Sequence, residues 1–530
     1  MIKSNAKKAK HYFIKLDKFL DKHRSLLLVF LLLVILRLPN FFEPYYYMDE
    51  SIYLTIGNAL RKGVRLYTEI IDHKTPLIYY FAAVPSLLHF RLLNFIWSAL
   101  SLAAFWKIAG KIFKNLKAVV VSSVAFVFLT GWPLFEGNVP NGELFVLGFI
   151  LGGGYLLTQT NLFKEKAEKK PFLHKNIVFY FGAGFLFGLA ILTKVPALFD
   201  GLAWAGLLWF SLVDKFSFKN LLLNIKRGVM ILAGVVSPII LSIIYYVARG
   251  AGQAYLDFGL LYNFRYVQSW GLPFDNELLV FLFSLQGKVL VMIFILLGLA
   301  FFKKYFSFKF KFVVFWFVLS LVASTLSNRP YPHYFIQLVP PLALLIGFGM
   351  QNFSLKLEAK KFKFEFAATI LVLILGGGVL GLLDVKPNLG FDYYQNFISY
   401  ISGKMNREKY YQKFDYITKD NYGAAKIIIK SDDPYLFIWG TNPALYALTK
   451  KIPTGRFTVS FHIKDFGVET ETFENLMEKQ PMFVVVMNNE VPLLGLDQYL
   501  GSYYIPNENF TNFVLWKKVN LKMDKYASVE

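Results

Sequence analysis

Apolar residues come in long blocks along this chain, separated by polar stretches that alternate in kind. The blocks cover residues 26–42, 88–108, 118–134, 144–157, 177–192, 197–212, 229–247, 279–301, 313–326, 335–350 and 366–383. A helix crosses a bilayer with about 20 apolar residues, so these blocks predict about eleven transmembrane helices. One set of the intervening stretches is basic: Lys107, Lys111, Lys114 and Lys117; Lys164, Lys166, Lys169, Lys170 and Lys175; Lys215, Lys219, Lys226 and Arg227; Lys303, Lys304, Lys309 and Lys311; Lys356, Lys360, Lys361 and Lys363. All of them share a side with the N-terminal Lys7, Lys8, Lys10, Lys15, Lys18, Lys22 and Arg24. The positive-inside rule makes that side cytoplasmic. The other set, residues 39–87, 135–141, 193–196, 248–276 and 327–333, then faces outward, and an odd number of spans sends everything after residue 383 outward as well.

The tail, roughly 145 residues, is long enough for one small domain. Three runs read as strands: Ala425-Lys-Ile-Ile-Ile-Lys430, Tyr435-Leu-Phe-Ile-Trp439 and Met482-Phe-Val-Val-Val-Met487. Residues 442–449 and 471–479 between them carry helical patterns. The expected architecture is therefore mainly α: a polytopic membrane domain over residues 1–383, followed by a small extracytoplasmic α/β domain over residues 384–530. In the first outward loop, Ser51-Ile-Tyr-Leu-Thr-Ile-Gly-Asn-Ala-Leu60 sets Ile52, Ile56, Ala59 and Leu60 on one helical stripe. That pattern predicts a helix lying in the membrane interface.

Composition supports this class and removes others. Of 530 residues, 55% are hydrophobic and 18% aromatic, and the mean hydropathy is +0.44, more than a soluble domain can bury. The formal net charge is +22, but the cations lie in short clusters between apolar blocks, so they read as membrane anchors and no nucleic-acid partner is expected. There is no Cys, which excludes disulfides and thiolate metal sites. The basic N-terminal flank resembles that of a signal peptide, but no small-residue cleavage site follows, so a retained anchor is expected, with the protein in the plasma membrane and its N-terminus cytoplasmic.

The outward loops hold the candidate chemistry. Asp49 and Glu50 stand at the start of the first loop's helix, where they either serve a reaction or simply favour its positive end. In Asp72-His-Lys-Thr-Pro-Leu77, Pro76 suits the first turn of a helix over residues 77–83, leaving Lys74 ahead of it, where a cation opposes the dipole and needs an anionic partner. A lipid headgroup phosphate would satisfy it equally. Glu136 and Glu143 flank the second outward loop, and Glu143 fits the role of a first-turn acid. Lys194 ends an apolar helix on the outer side, where it either snorkels or binds an anion. Arg265 lies among aromatics, and Arg329, His333 and Tyr334 fall in Asn328-Arg-Pro-Tyr-Pro-His-Tyr334. Arg37, inside the first apolar block, calls for a partner carboxylate. Asp432 and Asp433 read as a turn before Pro434 rather than a cation site, so neither a cofactor nor an obligatory metal is expected.

Adjacent helical residues point about 100° apart, so Asp49 and Glu50 cannot flank a sugar as a glycosidase's two carboxyls do. A phospholipid-linked sugar needs only one carboxylate, as base, because its leaving group is already a phosphate that cations can stabilise. Asp49-Glu50 after the first block, Lys74-Thr-Pro-Leu77, Gly188-Leu-Ala-Ile-Leu-Thr-Lys194 and residues 329–334 followed by Pro340-Pro341 resemble the family 39 glycosyltransferases of the GT-C fold. These include protein O-mannosyltransferases and the lipid A aminoarabinose transferase; Phe437-Ile-Trp-Gly440 and residues 442–446 look like bacterial members.

The resemblance implies an inverting transfer from a polyprenyl-phosphate sugar donor to a hydroxyl of a protein, lipid or polysaccharide acceptor on the outer face. It makes Asp49 the base with Glu50 its neighbour, and Lys74, Lys194, Arg265, Arg329 and His333 contacts to the donor phosphate. Asp72, His73, Glu143 and Tyr334 are further candidates for the substrate site. Thr75 departs from the family's usual Pro, and no sugar-binding domain is inserted in the loops. The competing expectation is a lipid or solute transporter, which would set polar residues at mid-span depth rather than toward one face.

Overall fold

The computed structural model describes residues 23–163, 174–214, 216–268, 270–354 and 360–519. The N-terminal cations Lys7 to Lys22, the cluster Lys164 to Lys170, Lys215 and Lys356 lie outside the described residues. The chain divides into two compact units: Met1–Phe41, Arg91–Tyr245 and Asn263–Phe391 form the first, and Phe42–Phe90, Tyr246–Tyr262 and Asp392–Glu530 the second.

The first unit is helical throughout its core. Each of the eleven apolar blocks is mostly helical. Among the described residues, His23–Phe42, Leu87–Ile112, Phe218–Ala248, Pro332–Gln351 and Lys363–Leu382 are long and apolar enough to cross a membrane, and Glu277–Phe283 with Leu285–Phe301 form a further candidate bent by 75°. Leu116–Gly131, Gly142–Thr158, Asn176–Ile191 and Ala197–Val213 are shorter apolar helices. The chain is a multi-pass membrane protein. Helix Phe218–Ala248 starts well before the apolar block at residue 229, because its basic first turns, with Lys219, Lys226 and Arg227, stay helical while lowering hydropathy.

Small residues let helices approach closely. A Cβ on Gly184 would meet the Ile231 carbonyl oxygen at 2.0 Å, and one on Gly188 would meet that of Val235 at 2.4 Å, so helix His174–Ile191 lies directly against Phe218–Ala248. Helix Phe308–Ser324 is buried along most of its length, with Trp316 and Phe312 packed on Trp204. A polar knot crosses this core. Asp200 accepts from Trp316 Nε1 at 2.6 Å and Ser320 Oγ at 2.7 Å, and from Gln337, whose amide also donates to the Pro196 carbonyl at 3.0 Å. Arg37 donates to the Thr130 carbonyl at 2.9 Å, in the last turn of helix Leu116–Gly131, where a cation suits the helix dipole.

The second unit contains helices α1 (Met48–Arg61), α2 (Leu77–Phe81), α3 (Thr418–Ile428), α4 (Pro443–Thr449), α5 (Ser460–Phe466), α6 (Glu469–Lys479) and α7 (Leu496–Tyr503). Its strands are β1 (Tyr435–Trp439), β2 (Ile452–Pro453), β3 (Phe483–Met487), β4 (Tyr504–Asn509) and β5 (Phe513–Lys518), in sheet order β2-β1-β3-β5-β4. β1 runs parallel to β2 and β3, and β5 antiparallel to β3 and β4. The strand period of two divides the core in half. Phe437, Trp439 and Val484 join Ile463 and Leu476 on one face; Leu436, Ile438, Phe483 and Val485 join Ala424, Ala425 and Ile428 on the other.

That second face corrects the expected strand at residues 425–430. The run of three isoleucines looks β-forming, but the buried positions Asn421, Ala424, Ala425 and Ile428 follow helical spacing and Ile429 is 57% exposed, so the segment closes helix α3. The strands at Tyr435 and Phe483 and the helices at 442–449 and 471–479 form as expected. The Asp432-Asp433 turn also forms: Asp433 accepts from the backbone of Tyr435 at 2.9 Å and of Met482 at 2.6 Å.

The first loop is part of this unit's core. Ile71 packs with Phe437 and Phe457, and its backbone N–H donates to the Arg456 carbonyl at 2.7 Å. In α1, the stripe of Ile52, Ile56 and Ala59 is buried, and Asn58 donates to the Lys450 carbonyl at 2.9 Å, so protein covers it.

Candidate functional site

The start of α1 separates the two acids as the helical rotation of about 100° requires. Glu50 is 1% exposed, whereas the Asp49 side chain keeps 23% of its surface. Neither caps the helix, whose N-cap is Tyr47 without a side-chain cap bond, so both act as first-turn acids. One turn on, Tyr53 donates to Asp49 Oδ2 at 3.0 Å. The loop before α2 supplies the cation: Lys74 Nζ lies 3.5 Å from Asp49 Oδ1, 3.4 Å from Asp72 Oδ2 and 5.2 Å from the centre of the Tyr53 ring. The expected anionic partner of Lys74 is therefore a pair of aspartates.

Two tyrosines fix this loop. Tyr67 donates to the Lys74 carbonyl at 2.8 Å; Tyr79 accepts from the Lys74 backbone N–H at 3.2 Å and donates to Asp72 Oδ2 at 2.7 Å. Burial alone would raise the Asp72 carboxyl, but Lys74 and then His73 override it and hold it well below the usual carboxylate range. Burial, followed by the Asp72 charge, pushes the Tyr79 phenol well above its ordinary value, so it remains a donor.

The other oxygen of Asp72 faces two imidazoles. Asp72 Oδ1 accepts from the His73 backbone at 2.8 Å and lies 3.0 Å from His73 Nδ1, which is 3.1 Å from His462 Nε2 on α5. His462 Nε2 is 3.7 Å from Asp72 Oδ1, and the rings meet edge to face at 87°. Burial pushes His462 down to about 3, against the pull of Asp72, so its ring is neutral. Its Nδ1 is buried with no hydrogen-bond partner among the described residues. Asp72, His73 and His462 each point one ligand-type atom into a space where all lie within 4.8 Å of one another. His462 is not legible in the sequence, because a single histidine 389 residues from its partner has no spacing to betray it. Tyr53, four residues after Asp49, was a legible signal.

The first unit holds a second polar group. Lys194 is bonded to Glu143 at the start of helix Gly142–Thr158 and sits 4.3 Å over the Tyr334 ring. The Glu143 side chain is 3% exposed and that of Lys194 15%, so the pair is enclosed. Tyr334 bonds Tyr266 through their hydroxyls at 2.8 Å, and the Arg329 guanidinium lies 4.2 Å from the Tyr266 ring and 4.9 Å from that of Trp270. His333 Nδ1 meets Glu136 Oε2 at 2.7 Å, and its ring packs on Tyr334. Lys288, inside an apolar block and without a motif around it, reaches the Thr325 carbonyl and, at 2.8 Å, Asn328 Oδ1, which ties down the loop before Arg329. Arg265 is exposed and joins neither group by a hydrogen bond or ion pair among the described residues.

No family model and no curated protein matches the sequence. Among solved structures, ArnT from Cupriavidus metallidurans in the apo state superposes with a TM-score of 0.55, covering 94% of this chain and 98% of that one at 14% identity. The chain has the fold of ArnT. That likeness is one of architecture, and it agrees with the GT-C fold implied by the sequence motifs. The Archaeoglobus fulgidus oligosaccharyltransferase in its apo form gives a TM-score of 0.42 at 13% identity over 88% of this chain and 69% of that one. The AglB oligosaccharyltransferase of the same organism, in complex with an inhibitory peptide and a dolichol-phosphate, gives 0.41 at 13% identity over 96% and 75%.

Proposed function

We propose that this protein is an inverting membrane glycosyltransferase that moves a sugar from a polyprenyl-phosphate donor to an acceptor hydroxyl on the outer face of the membrane. The observation that carries the reading is the half-buried Asp49 carboxylate 3.5 Å from the Lys74 ammonium, on a loop held by Tyr67 and Tyr79. In a single displacement, the acceptor oxygen attacks the anomeric carbon, and the carbon–oxygen bond to the phosphate breaks with its electron pair going to the phosphate. Asp49 takes the proton of the attacking hydroxyl. Lys74 balances the charge that grows on the leaving phosphate, so no acid is needed to protonate it. Asp72 orients that lysine, and Glu50, pointing into the core, has a structural task. Lys194, Arg265, Arg329 and His333 are proposed donor-phosphate contacts on the strength of the motifs that contain them. Eleven spans and an extracytoplasmic tail belong to this same reading.

The test is transfer by the reconstituted full-length protein from a panel of radiolabelled polyprenyl-phosphate sugars. Asp49→Asn, which keeps the shape of the side chain but not its basicity, is expected to slow transfer by about 10²–10⁴-fold. Undiminished transfer by this variant would remove Asp49 from the role of base.

A further inference from the structure

The geometry points to a divalent transition-metal site of the zinc class formed by Asp72 Oδ1, His73 Nδ1 and His462 Nε2. The three atoms are 3.0, 3.1 and 3.7 Å apart. Metal–nitrogen and metal–oxygen bonds of about 2.0–2.1 Å in a tetrahedron set ligands about 3.3–3.4 Å from each other, which is the mean of these separations to within about 0.1 Å. Two imidazoles and one carboxylate select a zinc-like ion over magnesium or calcium, which take all-oxygen shells. Three protein ligands leave a fourth position for water.

Neither tautomer of the histidine pair satisfies every polar atom of the cluster by hydrogen bonding. If His73 carries its proton on Nδ1, toward Asp72, then His462 Nε2 accepts and its proton sits on a buried Nδ1 that has no partner among the described residues. If His462 carries its proton on Nε2 instead, His73 Nδ1 turns a lone pair toward the Asp72 oxygen 3.0 Å away. Each arrangement costs a buried polar contact, about 1–3 kcal/mol. A cation turns all three lone pairs onto one centre and so removes the repulsion between His73 Nδ1 and Asp72 Oδ1, while the His462 proton stays on its buried Nδ1. The carboxylate is also prepared for that task, since Tyr79 and Lys74 hold Oδ2 and leave Oδ1 facing the histidines.

The ion ties the Asp72–Lys74 loop to α5, already brought alongside by the pairing of Ile71 with Phe457. Its task is to hold Lys74 at its distance from Asp49, as a positioning element outside the transfer step. Metal retention therefore tests the site whether or not the protein is a glycosyltransferase.

The experiment is elemental analysis of the detergent-purified full-length protein, stripped with chelator, reloaded with Zn²⁺ or Mg²⁺ and desalted. About one Zn²⁺ and no Mg²⁺ should remain per chain. Co²⁺ in place of Zn²⁺ should give the intense visible bands of a tetrahedral ion with nitrogen ligands, a measurement on the wild type that needs no variant to fold. His462→Ala and His73→Ala, judged folded by elution with the wild type, should each lower Zn²⁺ affinity by at least about a hundredfold, beyond the effect of losing an outer-sphere contact. Wild-type protein that retains no Zn²⁺, six-coordinate cobalt bands, or folded variants that bind as tightly as wild type would each overturn the site.

Discussion

A carboxylate in a helix's first turn is usually explained by the helix dipole, and the position of Glu50 fits that explanation. Asp49 differs because its partner is a lysine from another segment, itself bound to a buried aspartate. Lys74→Ala removes the charge facing the leaving phosphate and strands Asp72, whose side chain is fully buried. It should raise the donor KM about 10–100-fold, as expected for a lost charged contact of about 1.5–3 kcal/mol, and should also lower the melting midpoint, because an unpaired buried acid is destabilising. Lys74→Arg should restore much of the stability, and a donor dependence unchanged in both variants would count against phosphate binding. For Lys194 the enclosed partner is Glu143, so Lys194→Met should destabilise by roughly 3–5 kcal/mol and Lys194→Met with Glu143→Leu by much less, a difference measurable by thermal unfolding in detergent. The sequence showed which loops carry acids and cations, since charge outside apolar blocks is conspicuous. It did not show who pairs with whom: Glu143 and Lys194 are 51 residues apart, and His73 and His462 far more.

At the scale of elements, apolar blocks located the helices and misjudged their ends. Hydropathy reports composition, so the basic turns of Phe218–Ala248 were invisible to it while helical hydrogen bonding ran through them. The isoleucine run in α3 failed for the opposite reason: its residue types favour strands, and the faces it packs against decided the outcome. The stripe in α1 was legible, but not that the same unit's protein would bury it. Gly57 of α1 shows how tightly the helix is packed, since a Cβ there would sit 2.2 Å from the Ala82 carbonyl oxygen beyond α2. Gly57→Ala therefore forces α1 away from the α2 segment despite alanine's better helix propensity. The expected result is a loss of about 1–3 kcal/mol with transfer reduced in proportion to the displaced Lys74, seen as a lower melting midpoint and a lower kcat together. A neutral or stabilised variant would show that the two segments separate easily.

For the whole molecule the open quantity is sidedness, and the chain is well suited to measuring it because it contains no cysteine. The proposal that Asp49 works on the outer face depends on the alternation of basic and non-basic connections, since an excess of Lys and Arg in one set of short loops is what orients a multi-pass chain. Single cysteines can be placed at exposed residues in each set without removing a native thiol. Asp275→Cys and Tyr416→Cys should react with a membrane-impermeant maleimide added to intact cells, and Lys117→Cys and Lys304→Cys only after the cells are opened. Tyr416 is 78% exposed, so shielding by its own fold does not compete with shielding by the membrane. The four positions constrain one another: a chain inserted the other way exchanges both pairs, whereas one missed or extra crossing changes only the labels beyond it. Labelling of Tyr416→Cys only in opened cells would place the tail, and with it His462, in the cytoplasm. Because His462 and Lys74 belong to the same compact unit, that result would also move the proposed base to the wrong side for an outer-face donor.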